Sequence, residues 1–348
     1  MIKVAVVGCG GMGNIHADRY ASMPEASLVG VCDVNEAAAE ALGNAMGVPW
    51  FTSMAEMLLE VGAEAVSLAV PTYLHVPLLK EAADLGVHAI CEKPIALSSA
   101  EAEEAIRYCE ERGVRLFVGH VVRFFPNYEQ LAGKVREFGG ERGGVYHAKR
   151  AGSHPALVQP WFKDAAKSGG VIFDLMIHDI DYALGTFGEA TEVFAFNKVT
   201  DELDYATATF RFRNGTIAQI EAFWGYPGPF HTSFEYAAAD GIVRGTSADS
   251  ESLSVRVAAP PGSAAGFVET PQSVLLQDPY YRELAHFLSC IESGDEPIVT
   301  AQDALLAVRC WNRPAPGSRS DSERRARDEK VENRNAELRA WSCVRLFG

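Results

Sequence analysis

The sequence has no closely spaced pair of cysteines, no long uncharged apolar run and no excess of basic residues. Its seven cysteines are scattered along 348 residues without a CxxC pair, which implies neither a zinc site nor a disulfide scaffold and is typical of a reducing compartment. It contains neither a secretory signal pattern nor an apolar run of about 18 residues, so we expect a cytoplasmic protein with no membrane partner. The formal net charge of −15 disfavours nucleic acid, because clustered lysine and arginine carry phosphate binding.

The composition that remains is that of a globular protein, with 48% hydrophobic and 22% charged residues. At this length two domains are expected. Up to about residue 119, short β-branched runs alternate with segments of helical spacing, which predicts βαβ units and a parallel sheet. After Pro126 strand-like alternation dominates, and Arg213-Asn214-Gly215 is a hairpin signal. We predict an α/β protein with a doubly wound parallel sheet over residues 1–124 and a C-terminal α+β domain over residues 125–309, whose sheet is open and largely antiparallel.

The last residues differ in texture from the rest. From residue 309 onward, nine arginines and one lysine face six acids, and apolar periodicity is weak. A segment of this kind cannot bury enough apolar surface to offset the entropy of ordering. We therefore predict a disordered tail over residues 310–348 and assign it no function, while the two helices predicted before it should pack back on the first domain.

A glycine-rich turn, GCGGMG, lies between the first strand and the first helix. Such a turn needs glycine at Gly8 to bend, at Gly10 to let the backbone approach a pyrophosphate, and at Gly13 for tight helix packing. Free N–H groups and the helix dipole would then face the phosphates. A merely flexible turn would not require this strand and helix context. We predict dinucleotide binding by Gly8, Cys9, Gly10, Gly11, Met12 and Gly13.

Asp33 ends the second predicted strand, twenty residues after Gly13. A carboxylate at this position can accept hydrogen bonds from the adenosine ribose and repel a 2′-phosphate. It could also cap the helix that begins near Glu36. No arginine or lysine follows within several residues, so the sequence favours NAD over NADP.

Two further segments carry charge in apolar surroundings. Glu92, Lys93 and Pro94 follow a strand at the edge where ligands bind in open parallel sheets. In SGGVIFDLMIHDIDYALG, residues 168–185, helical spacing places Asp174, His178 and Asp181 on one stripe. Asp179 lies off that stripe and is predicted to be a structural or surface acid.

Three interpretations of the stripe stay open on the residues alone. The carboxylates could form a buried structural network around His178. Asp174, His178 and a third ligand such as His154 could bind a metal, although no HExxH-like pattern is present. His178 could also act as an acid or base near neutral pH with Asp174 orienting it. Only the third alternative uses the predicted nicotinamide.

Several motifs together resemble one family. In order they are GCGGMG, CDVN, PTYLH, CEKP, GHVVRFFPNY, SGGVIFDLMIHDID, YYRELAHF and TAQDAL. Over residues 1–309 the chain resembles the glucose-fructose oxidoreductase, inositol dehydrogenase and rhizopine-catabolism (Gfo/Idh/MocA) oxidoreductases. The resemblance implies a Rossmann domain followed by an α/β domain with an open sheet, and no metal.

The resemblance also implies roles for single residues. Lys93 would hydrogen-bond the reacting hydroxyl, His178 would be the general base and Asp174 would orient the substrate. Arg123 and Tyr128 would border the cleft. Residues near the nicotinamide, counted with the cofactor site, would be Pro71, Thr72, Leu74, His75, Glu92 and Lys93 itself.

The implied activity is NAD-dependent oxidation of a secondary hydroxyl on a cyclic polyol or sugar, by a homo-oligomer such as a dimer or tetramer. Alternatives are an NAD-assisted glycosidase and a regulator that binds NAD or a sugar without reacting. Inositol, a free sugar and a nucleotide-sugar stay open as substrates. Side chains that could contact the substrate, or serve only for packing, are Arg150, His154, Trp161, Lys163 and Trp224.

Overall fold

The computed structural model describes residues 1–138, 143–248, 253–258, 267–272, 278–311 and 337–345. These residues form a six-stranded sheet and then a nine-stranded sheet. The elements of the first part are β1 (Ile2–Val7), α1 (Gly11–Ser22), β2 (Ala26–Cys32), α2 (Glu36–Met46), β3 (Trp50–Phe51), α3 (Met54–Val61), β4 (Ala65–Leu68), α4 (His75–Asp84), β5 (His88–Glu92), α5 (Ser99–Glu111) and β6 (Leu116–Gly119). Those of the second part are α6 (Pro126–Phe138), β7 (Val145–Gly152), α7 (Ala165–Ser168), α8 (Ile177–Phe187), β8 (Ala190–Val199), β9 (Asp204–Phe212), β10 (Ile217–Trp224), β11 (His231–Ala238), β12 (Gly241–Thr246), β13 (Leu253–Ala258), β14 (Phe267–Gln272), α9 (Pro279–Ser293), α10 (Ala301–Arg309) and β15 (Glu337–Arg345).

The first sheet is parallel throughout, in the order β3-β2-β1-β4-β5-β6. Val4, Ala5 and Val6 of β1 are fully buried, as expected for a strand covered on both faces. In this doubly wound order, ligands bind at the carboxyl ends of the strands where the order reverses, beside β1 and β4. The predicted fold class is confirmed. The sequence did not predict β3, because two residues are too few to show a periodic pattern.

The second sheet is mixed and mostly antiparallel, in the order β14-β13-β12-β11-β7-β10-β9-β8-β15. Only the pair β7 and β10 is parallel among its described strands. Along β9, the buried residues Ala206, Ala208 and Phe210 alternate with partly exposed ones. Helices α6 and α8 cover the buried face. The other face exposes apolar groups such as Phe194. The homo-oligomer expected from the sequence stays a prediction.

Helices α9 and α10 are the two helices predicted before the tail. Phe287 and Leu288 of α9 share a core cluster with Val4 of β1. Leu305 and Val308 of α10 share another with residues of the first sheet. The last two helices therefore pack against the first domain.

Residues 337–345 differ from the predicted disordered tail. They form β15, which pairs antiparallel with β8. An unpaired edge strand offers a row of free backbone groups, and pairing with it does not need the apolar periodicity on which the prediction relied. Residues 312–336 and 346–348 of the predicted tail lie outside the described residues.

Glu283 of α9 is a buried acid without a counter-ion. It is fully buried, and neither carboxyl oxygen has a hydrogen-bond partner within the described ranges. Burial raises its pKa well above the ordinary value, and the charges of Glu92 and Asp181 raise it further. At a pH between the unfolded and the folded pKa, the carboxyl of Glu283 is therefore neutral in the folded protein and ionised in the unfolded chain.

Replacing Glu283 by glutamine should stabilise the protein at pH 8 and leave its stability nearly unchanged at pH 4. A carboxyl with a raised folded-state pKa lowers stability as the pH rises from the unfolded pKa toward the folded one, and each unit of that shift is worth about 1.4 kcal/mol. Thermal unfolding at pH 4, 6 and 8 measures this. Glu292→Gln, at an exposed position of the same helix, is the control and should change little. A pH dependence unchanged by Glu283→Gln would contradict the assignment.

Candidate active site

The glycine turn between β1 and α1 has the geometry of a dinucleotide cradle. Gly8 has a φ of +94°, and a Cβ there would lie 2.3 Å from the carbonyl oxygen of Ala69. A Cβ at Gly13 would lie 1.6 Å from the carbonyl oxygen of Gly8. A Cβ at Gly10 would meet no described atom within 4 Å. α1 begins at Gly11 without a side-chain cap, so its first N–H groups remain available to a pyrophosphate.

Asp33 lies beside this turn at the end of β2. Its Oδ2 accepts the N–H of Cys9 at 2.7 Å, and its Oδ1 accepts the N–H of Asn35 at 2.8 Å. Helix α2 is capped by Asn35, so the alternative capping role of Asp33 is not observed. Burial and the Asp33 charge raise the pKa of the Cys9 thiol to about 12, so Cys9 contributes its backbone N–H and not a reactive thiolate.

His75, in the loop predicted to lie near the nicotinamide, makes contacts inside the protein. The loop turns over Thr72–Leu74 and continues into α4. The His75 ring is buried, with Nδ1 2.7 Å from the carbonyl oxygen of Pro94 and Nε2 2.9 Å from that of Val70. It therefore ties the loop to the turn after β5, and both nitrogens are engaged. Pro71 and Leu74 stay partly exposed at the same loop.

Glu92 is also turned inward. Its Oε1 lies 3.1 Å from Nε2 of His16, whose Nδ1 lies 2.7 Å from Oγ of Ser67. Burial alone would raise the pKa of Glu92, but His16 and Lys93 outweigh it and lower the pKa. The sequence interpretation missed His16, although its position three residues after Gly13 places both on one face of α1.

Lys93 meets Asp174 across the boundary between the two domains. Its Nζ donates to Oδ1 of Asp174 at 2.9 Å and to the Asp174 carbonyl oxygen at 2.8 Å. The other carboxylate oxygen accepts the indole N–H of Trp224 at 3.2 Å. Asp174 thus orients Lys93. The expected hydrogen bond from Asp174 to His178 is not among the described contacts, so the prediction that Asp174 holds the imidazole is replaced by this arrangement.

The prediction that Asp174, His178 and Asp181 form one stripe on a regular helix is wrong for Asp181. Residues Ile172–Met176 form a π-helical turn before α8, which breaks the regular helical spacing on which the stripe relied. Asp181 is fully buried and binds Arg123 through both oxygens, at 2.7 and 2.8 Å. It does not contact Lys93. Asp179 is likewise a buried structural acid and not a surface one.

His178 lies in positive surroundings. Its Nδ1 is sealed from solvent and has no hydrogen-bond partner among the described residues, while the residue as a whole is partly exposed. Burial lowers the pKa of His178 well below its ordinary value, and the charges of Lys93, Arg150 and His120 lower it further. The imidazole is therefore neutral at neutral pH, and its Nε2 is not among the sealed atoms as Nδ1 is.

Arg150 and Tyr128 are internal. Arg150 is buried on β7, and its Nε donates to Oδ2 of Asp179 at 2.7 Å. Its Nη2 donates to the Tyr128 hydroxyl at 3.0 Å. Of the two alternatives left open for Arg150, these contacts favour packing. Tyr128 is buried beside it, whereas Arg123 is only partly buried and pairs with Asp181, and the expected place of their segment beside the cleft stays a prediction.

Two other features are absent from the described residues. They contain no group of three or more histidine, cysteine, aspartate or glutamate side chains arranged to hold a metal ion. Within the same residues, no helix has the length and apolarity to cross a membrane.

Two models of known domain families match the chain. One, described as an oxidoreductase family with an NAD-binding Rossmann fold, matches residues 2–120. The fold and the glycine turn thus define an NAD-binding oxidoreductase. The second, the GFO/IDH/MocA C-terminal domain, matches residues 133–244, and the chain belongs to the GFO/IDH/MocA oxidoreductase family. The predicted family, enzyme class and NAD cofactor are confirmed.

Relatives of the chain carry out several reactions. The scyllo-inositol 2-dehydrogenase (NAD(+)) of Bacillus subtilis is 30% identical over 88% of this chain and 90% of its own. The UDP-N-acetylglucosamine 3-dehydrogenase of Acidithiobacillus ferrooxidans is 34% identical over 64% of this chain and 66% of its own. A levoglucosan dehydrogenase structure with NADH and L-sorbose has a TM-score of 0.79 at 20% identity, covering 89% of this chain and 94% of that one. This last likeness shows a common fold.

Asp33→Ala should weaken NADH binding by about tenfold to a hundredfold, because hydrogen bonds to a charged group contribute about 1.5–3 kcal/mol. The same change should narrow the difference between NADH and NADPH, since it removes the charge that repels a 2′-phosphate. Fluorescence titration with both nucleotides measures the two affinities. Asp18→Ala, at an exposed site on α1, is the control. An unchanged nucleotide preference would contradict the role of Asp33.

Proposed function

We propose that the protein oxidises a secondary hydroxyl of a cyclic polyol or sugar, with Lys93, His178 and Asp174 as the catalytic residues. The observation that carries the proposal is the Lys93–Asp174 contact, at 2.9 Å, beside a neutral histidine. It lies where β5 ends, at the sheet edge that also carries the glycine turn. The reactions of the inositol and sugar dehydrogenases named above support the same substrate class.

Lys93 is placed to bind the reacting oxygen. Its side chain is only 14% exposed, and one of its three N–H donors remains after the two bonds to Asp174. An ammonium group in a partly shielded site stabilises negative charge more strongly than one in water. Lys93 therefore donates to the hydroxyl oxygen and stabilises the charge that develops there.

His178 is placed to accept the hydroxyl proton. A base must be unprotonated to act, and the low pKa of His178 keeps it so. Its Nε2 takes the proton, while the Nδ1 side stays sealed in the protein. Bound NAD supplies the hydride acceptor. The residues of this chain orient the hydroxyl, accept its proton and stabilise its oxygen.

His178→Ala should lower kcat by about a hundredfold to ten-thousandfold, the usual effect of losing a positioned proton-transfer group. Lys93→Met should lower kcat by about a hundredfold to a thousandfold, the usual effect of losing a donor that stabilises developing negative charge. The assay follows NADH formation with scyllo-inositol, myo-inositol, D-glucose and D-xylose at saturating NAD. NADH affinity, measured by fluorescence, should change little. His147→Ala, at an exposed histidine of β7, is the control.

Activity that survives both substitutions would contradict the assignment of these residues. Cleavage of a glycoside without net NADH would favour the NAD-assisted glycosidase. NAD and sugar binding without any product would favour the regulator.

The acid limb of the pH profile should lie below the ordinary histidine range. Because the pKa of His178 is lowered, the base stays unprotonated, and the rate falls only when the pH drops through that lowered value. Measuring kcat/KM from pH 5 to 9 in buffers of constant ionic strength tests this. An acid limb centred at or above about 6.5 would show that His178 is not the depressed base described here.

A further inference from the structure

Aromatic side chains form a continuous row from the surface to the proposed catalytic residues. We call Tyr73, Trp161, Phe162 and Trp224 the aromatic row. The Tyr73 and Trp161 ring centroids lie 6.2 Å apart, those of Trp161 and Phe162 3.8 Å, and those of Phe162 and Trp224 5.6 Å. The inner end is fixed by the hydrogen bond from Trp224 to Asp174, at 3.2 Å. The row therefore ends at the carboxylate that also binds Lys93.

The Trp161 ring is held in place by its neighbours and is still partly exposed. Its N–H donates to Oε1 of Gln159 at 2.8 Å, so its one polar atom is engaged. Phe162 stacks on one side with an interplanar angle of 26°. Tyr73 contacts it edge to face, at 65°. Trp161 nevertheless stays partly exposed, and Tyr73 is 40% exposed. Such a ring offers apolar area to a ligand at little cost in conformational entropy.

Along the aromatic row, Trp161 lies farther from the proposed catalytic residues than Phe162 and Trp224 do. Phe162 stands between it and Trp224, and Trp224 is the ring that contacts Asp174. A sugar ring whose hydroxyl reaches Lys93 would occupy the inner position. Tyr73 comes from the first domain and Trp161 from the second, so the outer position lies between the two domains. The outer position therefore presents partly exposed rings from both domains to a second ring.

The charges around the row favour a neutral ligand. Lys167 lies 3.8 Å from Asp164 and 5.5 Å from the centre of the Tyr73 ring. The pKa of His154 is lowered chiefly by burial; the charge of Asp204 opposes this shift, and that of the exposed Lys163 adds to it. With Lys93, which pairs with Asp174, three lysines thus stand near three carboxylates, those of Asp164, Asp174 and Asp204. A diphosphate group would find no arginine fork and no net positive field here.

We propose that Trp161 and Tyr73 bind the second ring of a neutral glycoside or disaccharide while its first ring reacts at Lys93. This inference rests on the proposed dehydrogenase function and narrows its substrate class. The outer ring touches no reacting atom, so it contributes binding that is equal in the ground state and the transition state. Such binding lowers KM without changing kcat.

The test compares one-ring and two-ring substrates on the same variants. The probes are D-glucose, methyl β-D-glucoside, phenyl β-D-glucoside, cellobiose and UDP-N-acetylglucosamine, at saturating NAD. We expect Trp161→Ala to raise KM roughly fivefold to tenfold for the two-ring neutral probes, with kcat and the one-ring KM unchanged, from the size of aromatic ring contacts. Trp161→Phe, which keeps a ring, should restore most of the loss. A packing role alone would lower the unfolding temperature and affect both probe classes alike.

A second measurement needs no turnover. Cellobiose added to the NAD-loaded protein should quench tryptophan fluorescence, and Trp161→Phe should remove the quenching, whereas Trp50→Phe in β3 should retain it. Equal loss on one-ring and two-ring probes, no Trp161-dependent quenching, or a clear preference for UDP-N-acetylglucosamine that weakens with salt would each overturn the inference. Quenching without NADH from any of these probes or from the inositols would instead overturn the proposed dehydrogenase function and leave the outer subsite standing.

Discussion

The hydrogen-bonded ion pair between Lys93 and Asp174 is the contact on which the rest of the site depends. It joins the end of β5 in the first domain to the π-helical turn in the second, through two bonds from one ammonium group. Both side chains are largely shielded, at 14% and 22% exposure, so the attraction is stronger than that of a surface pair. The same carboxylate receives the indole N–H of Trp224, and this bond connects the aromatic row to the reacting lysine.

The acids of the segment around α8 each meet a different cation. Asp174 binds Lys93, Asp179 binds Arg150 and Asp181 binds Arg123. A buried carboxylate is tolerated only with such a partner, and removing the partner typically costs about 3–5 kcal/mol. These pairs determine the rotation of the segment. Among the described residues Nδ1 of His178 has no hydrogen-bond partner, and burial together with nearby positive charges lowers the pKa of this ring.

Much of the fold and part of the site could be predicted from local patterns. Gly8 and Gly13 are recognisable because their close backbone contacts admit no other residue, and Asp33 because it ends β2 at a fixed distance from them. The π-helical turn could not be predicted, because its altered spacing depends on the packing of the helix. The burial of Arg150 against Asp179 could not be predicted either, since the sequence does not show whether an arginine on a strand faces solvent or a buried acid. β15 escaped detection because backbone pairing leaves little trace in side-chain periodicity.

The sequence by itself determined the class of the protein, since the glycine turn, Asp33, the lysine after β5 and the histidine of α8 belong to short segments whose chemistry depends on local spacing. The tertiary structure alone decided which charges meet. Asp174 pairs with a lysine 81 positions away and Asp181 with an arginine 58 positions away, while His178 pairs with neither acid. Such partners are chosen by the packing of two domains, because electrostatic attraction and burial act through space and not along the chain.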